Sequence, residues 1–272
     1  MAAAGGTLLG AALPRLSLGG EAPLALTDLG GGLAVIEGAG ANVVAAASES
    51  AVLLVDGGSA EGSPALLGLL AERMGGRPVT VLFNTNWRPE RTGSNEALGA
   101  SGTKIVAHEN TKLWLGGDFV VDWQERRYRP RPKAALPTVT FYESGTFDFA
   151  GRRIDYRYLP RASTDGDVAV FFPDANVLVA SDLVTVARYP MLDYVTGGWI
   201  GGFEAATKAL LEITDAKTRI VPAAGAVCGR PALERQLELA STVRQRVAEA
   251  YRTGMSRADF VATRPTREFD AE

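Results

Sequence analysis

Short apolar runs, separated by glycine-rich or charged turns, dominate the hydrophobic pattern of the chain. Residues 41–47 and 51–55 are two such runs on either side of a turn at 48–50, which predicts a β-hairpin. Residues 79–83 (VTVLF), which are apolar at four of five positions, are typical of a buried strand. Apolar positions at helical spacing within 63–74, followed by Gly75 and Gly76, predict a helix that ends at the glycines.

The second half of the chain repeats this alternation of strands and helices. Further strands are predicted at 104–107, 138–142, 147–149, 153–158, 168–172, 177–180 and 218–221. Further helices are predicted at 94–98, 110–115, 203–213, 231–251 and 256–262, and Ser256 is a suitable cap for the last. Two mixed sets of strands, each accompanied by helices, predict an α+β fold in which two sheets pack face to face with helices outside.

Composition supports one large core. The chain has 272 residues, of which 46% are hydrophobic and 22% charged, as in ordinary globular proteins. We predict a single domain over residues 23–272, preceded at 1–22 by a tail or the remnant of an export signal. The small apolar residues of that segment leave a periplasmic and a cytoplasmic location equally open.

The net charge of −3 argues against nucleic acid or an anionic membrane surface as a partner. Basic residues cluster only at 125–133, where proline and charge together predict a solvated loop. No stretch is long and apolar enough to span a bilayer. A small-molecule ligand and a homo-oligomer are both left open by these features.

The chain contains one histidine, His108, and one cysteine, Cys228. A zinc site normally draws on about four ligands, mostly histidine and cysteine. These two residues lie far apart in the sequence, so the composition speaks against a zinc site of the usual kind.

Five segments together resemble the metallo-β-lactamase superfamily, in the order and spacing of that family. They are residues 55–58 (VDGG), 84–96 (NTNWRPERTGSNE), 162–167 (ASTDGD), 179–183 (VASDL) and 220–225 (IVPAAG). The resemblance covers nearly the whole chain after residue 25, and it implies a four-layer αββα sandwich of the metallo-β-lactamase type.

The resemblance also shows which metal ligands of the family have been replaced. The family's first motif, His-x-His-x-Asp-His, corresponds to Asn86, Arg88, Glu90 and Arg91. Its next histidine corresponds to Ser163 and its last to Ala224, whereas the bridging aspartate of the family is retained as Asp182. We therefore predict a divergent member that lacks most metal ligands, and no cofactor.

Two guanidinium groups at ligand positions make the site hostile to a metal cation. Arginine does not lose its proton in proteins, and a dication within a few ångströms of two guanidiniums would be repelled. Without metal, Asp56, Asp182 and Glu90 would be crowded carboxylates, so we expect Arg88 and Arg91 to pair with them.

Several residues are candidates for binding or chemistry. Asp182, Glu90, Arg88 and Arg91 are the candidate catalytic groups. The candidate ligand-binding residues are Asn86, Ser163, Tyr189, Met191, Tyr194 and Trp199, of which the last four lie in the loop after Asp182.

Other candidates favour structural roles. His108 is expected at the surface or capping a helix, Asp165 and Asp167 in a turn, and Ser163 as a structural hydroxyl. The Ser101-x-x-Lys104 pattern precedes a strand, whereas the acyl enzymes that use this pattern carry it on a helix.

Three functions follow from these residues. The first is a pseudoenzyme that binds a small molecule or a partner at the former active site. The second is a metal-independent hydrolase of esters, lactones or lactams, with Arg88 and Arg91 stabilising an oxyanion and Asp182 or Glu90 acting as base. The third and weakest is a metal enzyme that uses Asp182, Glu90 and Asp165.

Overall fold

The computed structural model describes residues 23–270. The segment predicted as a tail or signal remnant, residues 1–22, lies outside the described residues, as do residues 271–272. The strands are β1 Ala25–Gly30, β2 Leu33–Glu37, β3 Val43–Ala47, β4 Val52–Val55, β5 Val79–Phe83, β6 Lys104–His108, β7 Phe119–Val121, β8 Arg126–Tyr128, β9 Val139–Phe141, β10 Gly145–Phe149, β11 Arg152–Tyr158, β12 Val168–Phe172, β13 Val177–Ser181 and β14 Arg219–Pro222. The helices are α1 Ser63–Arg73, α2 Pro89–Thr92, α3 Asn95–Ala100, α4 Glu109–Gly116, α5 Ile200–Ile213, α6 Arg230–Arg252 and α7 Arg257–Ala262.

Two large sheets carry the fold. The first has seven strands in the order β1-β2-β3-β4-β5-β6-β9, antiparallel from β1 to β4 and parallel from β4 onward. The second has five strands in the order β10-β11-β12-β13-β14, of which only β13 and β14 are parallel. A third sheet contains only the short hairpin of β7 and β8.

The buried apolar residues form three clusters, each between two neighbouring layers of the fold. The first joins the facing sides of the two sheets, with Phe83 and Val170 among its members. The second packs α1 and α3 on the outer face of the first sheet, and the third packs α5 and α6 on the outer face of the second. This arrangement confirms the predicted four-layer αββα sandwich. The domain boundary at residue 23 remains a prediction.

Two parts of the predicted secondary structure need correction. Strands β1 and β2 were not predicted, because glycines surround them and the exposed, mixed residues of β1 give no clear alternation. The segment 125–133 was predicted to be a solvated loop, which is wrong for its first part. There, Arg126–Tyr128 pairs with Phe119–Val121, and the rings of Phe119 and Tyr128 pack edge-on against Trp87.

His108 was expected either at the surface or as a helix cap. It caps a helix and is not at the surface. Its Nδ1 accepts a hydrogen bond from the backbone N–H of Asn110 at the start of α4. The ring is 3% exposed and stacks on Tyr158 at a centroid distance of 3.8 Å. No helix within residues 23–270 is long and apolar enough to cross a membrane.

Candidate functional site

The carboxyl ends of β4, β5 and β13 meet at one edge of the sandwich, where Thr85 and Ser181 both contact Asp56. Asp56 accepts hydrogen bonds from the backbone N–H and hydroxyl of Thr85 and from the hydroxyl of Ser181, at 2.8–2.9 Å. Asp56 and Ser181 have positive φ angles of 64° and 48°, which non-glycine residues seldom adopt. Burial raises the pKa of Asp56 to about 6, against the opposing effect of Arg91 and these hydrogen bonds.

A bidentate ion pair occupies the centre of this edge. Arg91 donates from Nε to Oδ2 of Asp182 and from Nη2 to Oδ1, both at 2.9 Å. The two side chains are 6% and 9% exposed, so water screens the pair little. Burial alone would raise the pKa of Asp182, but the guanidiniums of Arg91 and Arg88 outweigh it and hold that pKa well below its usual range.

Asn86 joins Asp182 to a second buried carboxylate. Its Nδ2 donates to Oδ2 of Asp182 at 2.9 Å and to Oδ1 of Asp167 at 3.1 Å, while its Oδ1 accepts from the backbone N–H of Arg88. Asp167 also accepts from the backbone and hydroxyl of Thr164. Burial raises the pKa of Asp167 to about 7, with Asp182 adding to the effect and Thr164, Arg88 and Asn86 opposing it.

Arg88 reaches the same aspartate from another side. Its Nη1 lies 3.4 Å from Oδ1 of Asp182, and its Nη2 donates to the carbonyl of Met191 at 2.9 Å. The carbonyl of Met191 also accepts from the hydroxyl of Ser163 at 2.9 Å. Arg88 thereby holds the loop after β13 against the loop after β5, and Ser163 holds it against the loop after β11.

A cleft of about 590 Å³ opens over these groups. Arg88, Arg91 and Asp182 form part of its wall together with Ala224, the residue that the resemblance matches to the family's last histidine. Its remaining lining residues include Trp87, Glu90, Trp123, Arg126, Tyr128, Arg188, Tyr189, Met191 and Asp193. The volume suits a small organic molecule.

The structure divides the predicted ligand-binding residues into two groups. Tyr189 and Met191 line the cleft. Asn86 and Ser163 are at most 1% exposed, and they support the wall from behind through the hydrogen bonds given above. Tyr194 and Trp199 do not line the cleft, although both are exposed, and Trp199 packs over the first turn of α5 at Gly201.

The expected pairing of arginines with carboxylates holds for Asp182 but needs correction for Glu90. Asp182 contacts both arginines, and Asp56 lies 4.0 Å from Nε of Arg91. Among the described residues, no ion pair involves Glu90, which instead lines the cleft. Asp165 lies outside the cleft, since its Oδ1 accepts from the indole of Trp114 and it borders a separate cavity.

Several lining residues were missed by the sequence analysis. Trp87 lies inside a recognised motif, and Arg126 and Tyr128 lie in the basic run, but none was proposed to face a ligand. The available signal was the pairing of aromatic and basic residues at 123–128, next to the motif at 84–96 in the fold but distant from it in sequence.

The residues present do not fit the zinc site that the resemblance implies. Within residues 23–270, no three histidine, cysteine, aspartate or glutamate side chains come together in a way that could hold a metal ion. Both oxygens of Asp182 are already engaged by a guanidinium, and the neighbouring Arg88 adds a second permanent cation.

Asn86→Ala is expected to lower the free energy of unfolding by about 2–3 kcal/mol, because two buried carboxylates each lose a hydrogen-bond donor. Urea unfolding at pH 7 measures the change. The matched control is Asn110→Ala, which removes one amide bond to the neutral carbonyl of Asp165 and should cost about 1 kcal/mol. Equal losses in the two variants would contradict a special role for the bridge.

Comparisons with known proteins agree with this architecture. The family model described as the metallo-beta-lactamase superfamily matches residues 37–229. A metallo-beta-lactamase from Pontibacter korlensis is similar in structure with a TM-score of 0.65 and 19% identity, over 80% of this chain and 99% of that one. The DIM-1 metallo-beta-lactamase has a TM-score of 0.64 and 16% identity, over 81% and 98% of the two chains. VMB-1 has a TM-score of 0.66 and 16% identity, over 83% and 100%.

Proposed function

The chain belongs to the metallo-β-lactamase superfamily, and from this premise we propose that it is a metal-independent member that binds a small organic molecule in the cleft above Asp182. The observation that carries the proposal is the bidentate Arg91–Asp182 pair. It places a guanidinium on the one metal-ligand position that this chain shares with its family. The charge that zinc would supply is thereby replaced, and the cleft keeps its shape.

The same pair argues against Asp182 as a general base. A base must accept a proton, and a carboxylate with a depressed pKa and both oxygens engaged does so poorly. This favours binding without turnover, the pseudoenzyme hypothesis, over a hydrolase that depends on Asp182.

Zinc binding tests the proposal directly. We expect protein expressed in zinc-supplemented medium to carry far less than one zinc ion per chain, measured by plasma mass spectrometry, and its melting temperature to be unaffected by added zinc. His108→Gln is the control for adventitious binding at the sole histidine. Stoichiometric zinc that is retained in His108→Gln and lost in Asp182→Asn would overturn the proposal.

A metal-independent hydrolase remains the second candidate, and one observation favours it. Glu90 borders the cleft without an ion pair among the described residues, next to Arg88, which could stabilise an oxyanion. Assays with a chromogenic ester, a lactone and a β-lactam, each with and without chelator, decide between the two. Turnover that resists chelator and disappears in Glu90→Gln would favour the hydrolase, whereas absence of turnover would favour the binding protein.

A further inference from the structure

Arg88 differs from Arg91 in how much of its hydrogen-bonding capacity the protein uses. A guanidinium has five N–H donors. Arg91 donates from Nε and Nη2 to Asp182 and from Nη1 to the carbonyl of Glu90. Arg88 donates only from Nη2, to the carbonyl of Met191, and its Nη1 makes a longer contact of 3.4 Å with Asp182. Its Nε–H has no acceptor within the described part of the chain.

The unused donors of Arg88 are open to the cleft. No fully buried side-chain nitrogen or oxygen within residues 23–270 lacks a hydrogen-bond partner. The free nitrogen of Arg88 is therefore in reach of solvent, although the residue is only 8% exposed, and the space that Arg88 borders is the cleft. A largely buried guanidinium whose free donors face a cleft is a strong site for a flat anionic group such as a carboxylate.

The net charge of the cleft wall also favours an anionic ligand. Four arginines and three carboxylates line it, which leaves a net charge of +1 in a chain whose overall charge is −3. Arg91 and Asp182 neutralise each other, so the excess is carried by Arg88 and by Arg126 and Arg188, for which no ion pair is found among the described residues. A single positive excess beside Asp182 suits a monoanion better than a dianion.

The rest of the wall suits an apolar, flat molecule. Trp123, Tyr189 and Met191 line the cleft while remaining 55%, 44% and 52% exposed, and Trp87 and Tyr128 complete the aromatic surface. Exposed aromatic and thioether groups around one concave site mark the place where an apolar body is covered.

We propose that the cleft binds a small aromatic monocarboxylate, with its carboxylate on the free N–H donors of Arg88 and its ring against the aromatic wall. This inference rests on the proposed function, because it requires a cleft that is open to a small molecule. Arg88 is the anchoring residue, and Arg126 and Arg188 at the wall attract the anion without holding it.

The test compares indole-3-acetate with indole-3-acetamide, which has the same shape and no charge. Two-dimensional NMR titration at pH 7.5 and low salt is expected to show at least tenfold tighter binding of the carboxylate, with shifts of the Trp87 and Trp123 indole signals. The advantage of the carboxylate should fall in 0.5 M salt, as expected of a charge interaction. Because this comparison uses the unaltered chain, it does not depend on a variant that folds.

Variants then identify the anchor. Arg88→Gln should bind the carboxylate and the amide alike, Arg88→Lys should recover only part of the preference, and Arg73→Gln, on the exposed face of α1, should behave as the unaltered protein. Equal binding of the two probes, a preference that survives in Arg88→Gln, or absence of binding by both would overturn the inference. A neutral fragment that binds at the Trp87 indole would then leave the proposed function standing, whereas a fragment collection without any hit in the cleft would overturn both.

Discussion

Asp182→Asn is expected to destabilise the protein by about 3–5 kcal/mol, because it leaves the guanidinium of Arg91 buried without its principal counter-charge. Arg91 is 5% exposed, and its next nearest carboxylate oxygen, on Asp56, lies 4.0 Å from Nε. Asparagine keeps the shape of the side chain and one acceptor, so the loss reports charge and not volume. Urea unfolding at pH 7 measures it.

An exposed pair of the same geometry provides the matched control. Arg127 donates from Nε and Nη2 to the two oxygens of Asp118 at 2.7 and 2.8 Å, but the two side chains are 57% and 37% exposed. Asp118→Asn should therefore change stability little, since water and salt screen that pair. A loss in Asp182→Asn no larger than in Asp118→Asn would contradict the role given to the buried pair.

The double variant Arg91→Met with Asp182→Leu separates pairing from packing. Removal of both charges leaves no uncompensated ion at the centre, so this protein should be more stable than Asp182→Asn alone. The double-mutant cycle completed by the single variants Arg91→Met and Asp182→Leu then gives a coupling energy, which measures how strongly each residue depends on the other.

The hydrophobic pattern predicted the fold where strands are buried on both faces. The run at 168–172 is continuous and apolar, and the run at 79–83 is apolar except at the exposed Thr80, because each strand lies in the interior of a sheet between two layers. Strand β1 gave no such signal, because it lies at the edge of its sheet and only one of its six residues is buried. An edge strand is stabilised by pairing with its neighbouring strand, and the residues of the edge strand alone do not reveal that pairing.

The residues at the centre of the site could be predicted from the sequence, but the hydrogen bonds that connect them to the rest of the site could not. Charge and family order together predicted that Arg88 and Arg91 would meet Asp182, 91 residues beyond Arg91. The hydrogen bond from Asn86 to Asp167 was missed, because a bond between loops of different sheets produces no periodic pattern in the sequence. Asp167 was assigned to a turn, which is compatible with its bonds to Thr164 but omits its contact with the site.

The loop after β13 shows why residue type alone does not identify a cleft wall. Tyr189, Met191, Tyr194 and Trp199 were equal candidates by composition, yet only the first two face the cleft. The loop has no regular hydrophobic period, so hydrogen bonds to residues distant in the sequence decide which of its side chains face the cleft. The hydroxyl of Tyr189 donates to Asp270 at 2.6 Å, and the carbonyl of Met191 accepts from Arg88.

The free energy of unfolding should rise by several kcal/mol as pH falls from 8 to 5, the reverse of the usual behaviour of paired aspartates. The pKa of Asp56 is raised to about 6 and that of Asp167 to about 7, in both cases chiefly by burial, from an ordinary value of 3.8. Between 3.8 and about 7, the folded protein holds protons that the unfolded chain has released, so stability is lost as pH rises through that window. A shift of one unit is worth about 1.4 kcal/mol, so ionisation of Asp167 alone lowers the free energy of unfolding by about 4 kcal/mol across the whole window from 3.8 to about 7, and about 3 kcal/mol of this falls between pH 5 and 8.

Other groups, among them His108 and Asp182, oppose this gain in stability as pH falls. The pKa of His108 is lowered by burial, so below 6.5 the unfolded chain takes up a proton that the folded ring resists, and this contribution falls with pH. The pKa of Asp182 is held low by Arg91 and Arg88 despite burial, so the stability from that pair is lost progressively as pH falls below the ordinary value of 3.8. The stability curve should therefore have its maximum on the acid side of pH 7.

Asp167→Asn isolates the main source of this dependence. The variant cannot ionise at position 167, so its stability should change much less between pH 5 and 8 than that of the unaltered protein, while the contribution of Asp56 remains. Urea unfolding at one-unit pH intervals, with salt held constant, gives both curves. If the unaltered protein is as stable at pH 8 as at pH 5, the buried aspartates are ionised throughout that range, and the three hydrogen bonds that Asp167 accepts then outweigh its burial.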